Sequence, residues 1–120
     1  MATASILPIE QIGDTVVITP RKDLNELAFE QIELEAKHAL ELLDGTQTKN
    51  VVLDFCYTDY FGSTALSFFV KLHKQVRELQ GAMAFCNLSD HGREILNITK
   101  LDTLWPNCDS REEAILSIES

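Results

Sequence analysis

The sequence predicts an α/β domain built on a mixed sheet of four to five strands with about four helices. Short β-branched or apolar runs alternate with longer segments in which apolar residues recur at helical spacing. Two of the short runs are almost continuously apolar, which is typical of strands covered on both faces. Because strands that alternate with helices form right-handed crossovers, we expect part of the sheet to be parallel.

Length and composition predict a single domain over residues 1–120, with a core from about residue 12 to residue 118. The chain has 120 residues, of which 45% are hydrophobic and 24% are charged, as in ordinary globular domains. Such a domain buries roughly two-thirds of its unfolded surface, so it needs no disulfide or metal for stability. We expect no cofactor, and because the sequence has no CxxC and no His pair at ligand spacing we expect no metal site.

The charge of the chain argues against nucleic acid or a membrane as a partner. Ten Lys and Arg against nineteen Asp and Glu give a net charge of -9, and no basic run stands out, so phosphates are repelled. No apolar run approaches the ~20 residues of a membrane span. The start of the chain lacks signal-peptide features, and Cys56, Cys86 and Cys108 form no CxxC. These features predict buried or half-buried free thiols in the cytoplasm.

Two short strands are predicted at the start of the chain. Thr15 to Thr19 is a β-branched run that ends just before a proline, which is typical of a strand. The weaker run from Ile6 to Ile12 contains Pro8, which edge strands tolerate. We expect the two runs to pair through a turn at Gly13 and Asp14.

A long helix is predicted from Asp23 to Leu43, and a central strand from Val51 to Cys56. Asp23 and Glu26 have the spacing of a capping box. The strand is apolar apart from Asp54, whose carboxylate we expect to accept backbone hydrogen bonds from the following loop. The residues that define the helix by their spacing are Ala28, Ile32, Ala36, Ala39 and Leu43.

The second half of the chain is predicted to alternate between helix and strand in the same way. A helix from Ser63 to Leu79 precedes a core strand from Ala82 to Cys86. Ser89 is in position to cap a short helix that ends near Ile98. The last predicted elements are a short strand at Leu104–Pro106 and a helix opened by the capping box Ser110–Glu113.

The loop from Tyr57 to Thr64 is the best candidate for a functional site. It joins a central strand to a helix, and α/β proteins place their sites at the carboxyl ends of parallel strands. Ser63 falls at or next to the helix N-cap, where N–H groups and the helix dipole accommodate a phosphate. From the residues alone a second interpretation stays open, in which Ser63 is only a cap and Thr64 only a first-turn residue.

The usual signatures of nucleotide-binding and hydrolytic enzymes are missing from the sequence. It contains no GxGxxG, no GxxxxGK[ST] and no GxSxG. A serine hydrolase would need His38, His73 or His91, and no base stands near Ser63 in the sequence. We therefore expect a protein that is not an enzyme, and a small hydrolase or transferase is the less favoured class.

The segment from Asn50 to Val70 contains an apolar strand with an Asp, an aromatic residue and Gly62-Ser63-Thr64-Ala65-Leu66. It resembles the STAS domain of bacterial anti-sigma-factor antagonists, which typically has Asp-Ser-Ser/Thr-Gly-Leu there. Gly81 to Ser89 and Leu101 to Ala114 resemble the next strand and the closing stretch of that family. The chain departs from the family pattern at Gly62, at Ala65 and over Thr19 to Asn25, where the family usually has Gly-Glu-Leu-Asp.

The resemblance implies a STAS-like fold and a regulator that binds an anti-sigma factor with serine kinase activity. It implies phosphorylation at Ser63, with Thr64 as the second candidate, and a phosphatase of the PP2C type as a further partner. The alternative is a degenerate STAS module that binds a protein or an anionic ligand without phosphorylation. The expected partner-binding residues are Asp23, Asn25, Tyr60, Phe61, Gly62, Ser63 and Thr64.

Overall fold

A mixed five-stranded sheet forms the centre of the described chain. The computed structural model describes residues 6–25, 29–45 and 48–119. The sheet has the order β1-β2-β3-β4-β5, in which β1 is antiparallel to β2 and the other neighbours are parallel. The predicted α/β class and number of strands are confirmed. The strands are β1 (Ile9–Ile12), β2 (Thr15–Ile18), β3 (Asn50–Asp54), β4 (Met83–Cys86) and β5 (Asn107–Cys108).

Four helices accompany the strands in the described residues: α1 (Phe29–Gly45), α2 (Ser63–Glu78), α3 (Asp90–Ile98) and α4 (Arg111–Glu119). Two predicted caps are confirmed, because Ser89 Oγ accepts a hydrogen bond from Gly92 N at 3.0 Å and Ser110 Oγ accepts one from Glu113 N at 3.1 Å. Within the described ranges, no helix combines the length and the apolar character that a membrane crossing requires.

Helices on both faces of the sheet bury its central strands. On one face, Val51 and Leu53 belong to a core that also includes apolar residues of α1, α2 and α3. On the other face, Ala114 of α4 packs with Val17 and Val52. Every residue of β3 is buried, which explains why this strand is almost continuously apolar in the sequence.

The start predicted for the first helix is wrong. Asp23 and Leu24 lie in the loop after β2, where Leu24 forms a parallel bridge with Phe61. The Asp23 carboxylate accepts hydrogen bonds from another loop, so it does not cap a helix. The helix α1 begins at Phe29; Glu26 and Ala28 of the predicted helix lie outside the described residues.

The last strand is also displaced from its predicted position. Leu104–Pro106 was expected to form it, whereas β5 consists of Asn107–Cys108. Trp105 is instead a core residue: its ring stacks on Phe85 at 4.8 Å between centroids, and its indole N–H donates to His73 Nδ1 at 2.9 Å. Trp105 therefore anchors this segment in the core, whereas Leu104 is exposed, and the strand follows after Pro106.

The three cysteines differ in their exposure. Cys86 is buried and Cys108 is half-buried, as the sequence predicts, but Cys56 is exposed. Cys56 lies beyond the end of β3, in the turn that leads to the candidate site. Its predicted burial is therefore wrong, because the strand ends at Asp54, two residues earlier than expected.

Candidate functional site

Two loops at the carboxyl ends of β2 and β3 are joined through their backbones. Leu24 N donates to Tyr60 O, and Gly62 N donates to Leu24 O, both at 2.9 Å. These two bonds form the parallel bridge between Leu24 and Phe61. The parallel pairing of β2 with β3 thus resumes beyond the ends of the two strands. This bridge fixes the backbone immediately before Ser63.

Side chains strengthen the connection between the same two loops. The Asp23 carboxylate oxygen Oδ1 accepts hydrogen bonds from Asp59 N at 2.8 Å and from Tyr60 N at 3.3 Å. The buried Thr58 hydroxyl donates to Lys22 O at 3.0 Å. Asp23, which is one of the expected partner-binding residues, therefore also stabilises the loop, although it remains exposed.

Phe61 anchors the loop in the core. Only 1% of this residue is exposed, and its ring centroid lies 5.3 Å from the ring centroids of both Phe55 and Phe69. Gly62 is buried too. Because both residues are buried, neither offers accessible surface to a partner. The Phe61 ring, which was expected to contact the partner, instead packs in the core and holds the loop in place.

Ser63 is the first residue of α2, and its residue is exposed. The N-cap is Gly62, which has extended backbone angles and no side chain with which to cap. Ser63 therefore lies next to the cap, in the first helical turn, and Thr64 beside it is half-buried. The first turn contains no acidic residue. A helix N-terminus of this kind favours added negative charge at Ser63.

A groove between α1 and α2 opens beside Ser63. Its volume is about 510 Å³, and Ser63 and Thr64 both line it. Lys37 from α1 and Lys71 from α2 stand along its walls, together with the acidic Glu33. The two hydroxyls expected to accept a phosphate therefore border a concave surface wide enough for side chains of a partner.

On the far side of the loop, Tyr60 lies near the start of α3. Tyr60 is 37% exposed, and its ring centroid is 5.7 Å from that of His91. His91 Nδ1 lies 3.1 Å from Asp59 Oδ2, and Ser89 Oγ donates to the Asp59 carbonyl at 3.2 Å. The hydrogen bond with His91 is the main cause that lowers the pKa of the exposed Asp59 carboxyl. Asn25, the remaining expected contact residue, is half-buried.

The loop before Ser63 begins at Asp54, which is paired with a residue that sequence reasoning missed. Arg111 Nε lies 3.3 Å from Asp54 Oδ2, while Cys56 N and Asn87 Nδ2 donate to Asp54 Oδ1 at 3.1 and 2.9 Å. The expected backbone bond to Asp54 is thus present. Arg111 also donates to Glu10 and Thr19. The sequence signal for such a partner was Asp54 itself, because a carboxylate in a buried strand requires a hydrogen-bonding or charged partner.

Burial and hydrogen bonding act in opposite directions on Asp54. Burial alone would raise the pKa of its carboxyl, whereas the bonds from Asn87, Cys56 and Arg111 favour the ionised form. Their sum holds the pKa below its ordinary value. The base of the loop is therefore fixed by a charged carboxylate at neutral pH.

A family model for the STAS domain matches residues 7–114 of the chain. The chain belongs to the STAS family. The predicted resemblance to this family is thereby confirmed, and the matched residues include both joined loops and all of α2.

Relatives of this STAS protein bear the names of anti-sigma-factor antagonists. It is 30% identical over 114 residues to the "Putative anti-sigma factor antagonist BtrV" of Bordetella bronchiseptica, and the alignment covers 95% of each chain. Its fold is similar to that of "a putative anti-sigma factor antagonist (tm1081)" from Thermotoga maritima, with a TM-score of 0.83, 22% identity and 95% of each chain covered.

SpoIIAA, an anti-sigma factor antagonist from Bacillus, has the same fold in two states. Its unphosphorylated form gives a TM-score of 0.77 at 20% identity, covering 94% of this STAS chain and 96% of SpoIIAA. Its phosphorylated form gives a TM-score of 0.68 at 20% identity, covering 93% and 98%. At this level of identity the comparison establishes the fold.

Proposed function

We propose that this STAS protein binds an anti-sigma factor with serine kinase activity and is switched by phosphorylation at Ser63. The observation that carries the proposal is the exposed Ser63 at the first position of α2, directly after a loop that the bridge between Leu24 and Phe61 fixes to the fold. The kinship with BtrV and the existence of SpoIIAA in a phosphorylated form support it. In this proposal the protein is a cytoplasmic regulator without enzymatic activity of its own.

In the proposed cycle the unmodified protein holds the anti-sigma factor and thereby frees a sigma factor. The kinase then transfers the γ-phosphoryl group of ATP: a bond forms between Ser63 Oγ and the phosphorus, the bond to ADP breaks, and the hydroxyl proton leaves to a base of the kinase. A phosphatase of the PP2C type hydrolyses the phosphoserine and restores the binding form.

A phosphate on Ser63 is compatible with the fold. It adds roughly -1.5 to -2 charge at neutral pH, and the N-terminus of α2 stabilises such charge by about 0.3–1 kcal/mol. Gly62 and the first turn contribute no competing acidic side chain. The dianion instead weakens binding of the partner. A loss of about 3 kcal/mol of binding free energy corresponds to a roughly hundredfold lower affinity.

The test uses purified protein, ATP and each anti-sigma kinase encoded in the same genome. We expect phosphate incorporation into the unmodified chain and into Thr64→Ala, but none into Ser63→Ala. Ser63→Asp should bind the kinase poorly, whereas Ser63→Ala should bind it well. Incorporation that continues in Ser63→Ala would contradict the assignment of the site.

The second candidate is a STAS module that binds its partner without being phosphorylated. The observation that favours it is Gly62, which stands where the family usually has an acidic residue before the phosphorylated serine. A chain that binds a kinase tightly but takes up no phosphate from any of them would support this candidate. The matched variant Gly62→Asp then reveals whether the missing carboxylate is the cause, because it should restore incorporation.

A further inference from the structure

Helix α2 is basic in a chain that is strongly acidic. Ser63–Glu78 carries Lys71, Lys74 and Arg77 and a single acidic residue, Glu78. The whole chain has ten Lys and Arg against nineteen Asp and Glu. In the sequence the three basic residues stand three positions apart, so they form no continuous basic run.

The helix brings these residues to one face together with Ser63. At 3.6 residues per turn, Ser63, Ser67, Lys71 and Lys74 fall within an arc of about 80°. All four are exposed, as are Val70 and Arg77 at the edge of the same arc. We define Ser67, Val70, Lys71, Lys74 and Arg77 as the basic face of α2. It extends from Ser63 for about 20 Å along the helix axis.

The opposite side of the helix fixes this face in position. Ala65, Phe69, Leu72 and Val76 are buried in the core, so α2 cannot turn without unpacking them. The basic face also continues into the groove beside Ser63, since Ser67 and Lys71 line both. It is therefore a rigid surface that is contiguous with the proposed phosphorylation site.

We infer that the basic face of α2 binds an acidic surface of the anti-sigma partner. The inference rests on the proposed function, because the partner that reaches Ser63 must also approach the helix that follows it. Charge complementarity selects the occupant: the chain as a whole repels an acidic protein, and this face attracts it. Attraction at one face and repulsion elsewhere orient the partner toward Ser63.

The same charges bear on the switch. A phosphate on Ser63 introduces a dianion at one end of the basic face, which lowers the positive potential that the partner meets. The partner's carboxylates would then also face the phosphate directly. Phosphorylation therefore replaces attraction by repulsion next to Ser63, without requiring a change in the fold.

The test measures association and dissociation of the kinase identified by the phosphorylation assay, at about 0.05 M and about 0.5 M salt. The variant Lys71→Glu/Lys74→Glu should bind about tenfold more weakly at low salt, mainly through a slower association rate. Lys71→Gln/Lys74→Gln should lie between that variant and the unmodified chain. The control Lys100→Glu reverses one exposed charge in the loop after α3, which is half the charge change of the double Glu variant, and should change affinity less than twofold.

The outcomes separate this inference from the proposed function. If the kinase binds the unmodified chain and the double Glu variant equally well, with the same unfolding midpoint for both, the basic face is not the docking surface and the proposed function stands. If the unmodified chain binds no anti-sigma kinase, both fail. Binding of duplex DNA or RNA by the unmodified chain, lost in the double Glu variant, would assign the face to phosphates and overturn the inference.

Discussion

Arg111 Nε lies 3.3 Å from Asp54 Oδ2, and this contact joins the last helix to the end of the central strand. The Asp54 side chain is 5% exposed and that of Arg111 is 30% exposed. Because the turn toward Ser63 begins at Asp54, α4 supports the candidate site from the other face of the sheet. The contact predicts that a change far from Ser63 in sequence affects the stability of its loop.

Replacing Asp54 with alanine should lower the free energy of unfolding by about 2–3 kcal/mol. The change removes the buried carboxylate that accepts hydrogen bonds from the Arg111 guanidinium, the Cys56 N–H and the Asn87 amide, and hydrogen bonds to charged groups are worth about 1.5–3 kcal/mol. Urea unfolding measures the effect. As a control, Asp109→Ala removes an exposed pair with Arg93 at 3.7 Å and should cost less than about 1 kcal/mol; equal losses in both variants would contradict the role of Asp54.

Phe61 and Tyr60 should respond oppositely to truncation, although they are neighbours in the loop. Phe61→Ala should cost about 3–5 kcal/mol, because it removes a ring packed between Phe55 and Phe69. Tyr60→Ala should cost little stability, since Tyr60 is more than a third exposed, and should weaken kinase binding. Thermal unfolding and binding measured on the same samples test both; a Tyr60 variant that unfolds early would place this ring in the core instead.

Asp23→Asn should loosen the loop before Ser63. The amide that replaces the carboxylate is a weaker acceptor for the N–H groups of Asp59 and Tyr60, and hydrogen bonds to charged groups are the stronger ones. We expect faster amide hydrogen exchange at Asp59 and Tyr60, measured by NMR, with exchange in β3 unchanged. The control is Lys22→Gln, because Thr58 bonds to the backbone carbonyl of Lys22 and the substitution leaves that carbonyl in place. Unaltered exchange in Asp23→Asn would show that the loop does not depend on this carboxylate.

His73 should make stability fall when the pH drops below about 6.5. Burial, with a smaller contribution from Arg77, lowers the pKa of His73 in the folded chain. A depressed pKa means that the unfolded chain binds the proton more readily, so the contribution of His73 is complete above the unfolded pKa and is lost as the pH falls through the folded one. His73→Phe should remove this part of the pH dependence of the unfolding midpoint between pH values of about 7 and 5. Identical pH profiles for both chains would contradict it.

The strands β2, β3 and β4 and the helix α2 were predictable from the sequence because local patterns determine them. The run from Val51 to Leu53 is apolar since both faces are covered, and α2 has buried residues at helical spacing. The two displaced elements depend on distant partners. The spacing of Asp23 predicted a helix cap, but its carboxylate accepts hydrogen bonds from the backbone N–H groups of Asp59 and Tyr60.

The candidate site was predictable in part, for the same reason. Ser63 could be placed at the start of a helix because the motif and the apolar spacing after it are local. The burial of Phe61 and the ion pair from Arg111 to Asp54, 57 residues apart in sequence, depend on how the chain folds back. Helical spacing already places Lys71 and Lys74 on the side of Ser67, whereas their exposure depends on how α2 packs against the core.

The position of Trp105 gives the protein an internal optical reporter. It is the single tryptophan of the chain, 4% exposed, stacked on Phe85 and bonded to His73. Its emission therefore follows the integrity of the core, and unfolding shifts it toward the wavelength of indole in water. Lys71 and Lys74 lie on another side of α2, so docking there leaves the indole in place. One unlabelled sample can thus distinguish a variant that has lost its partner from one that has lost its fold.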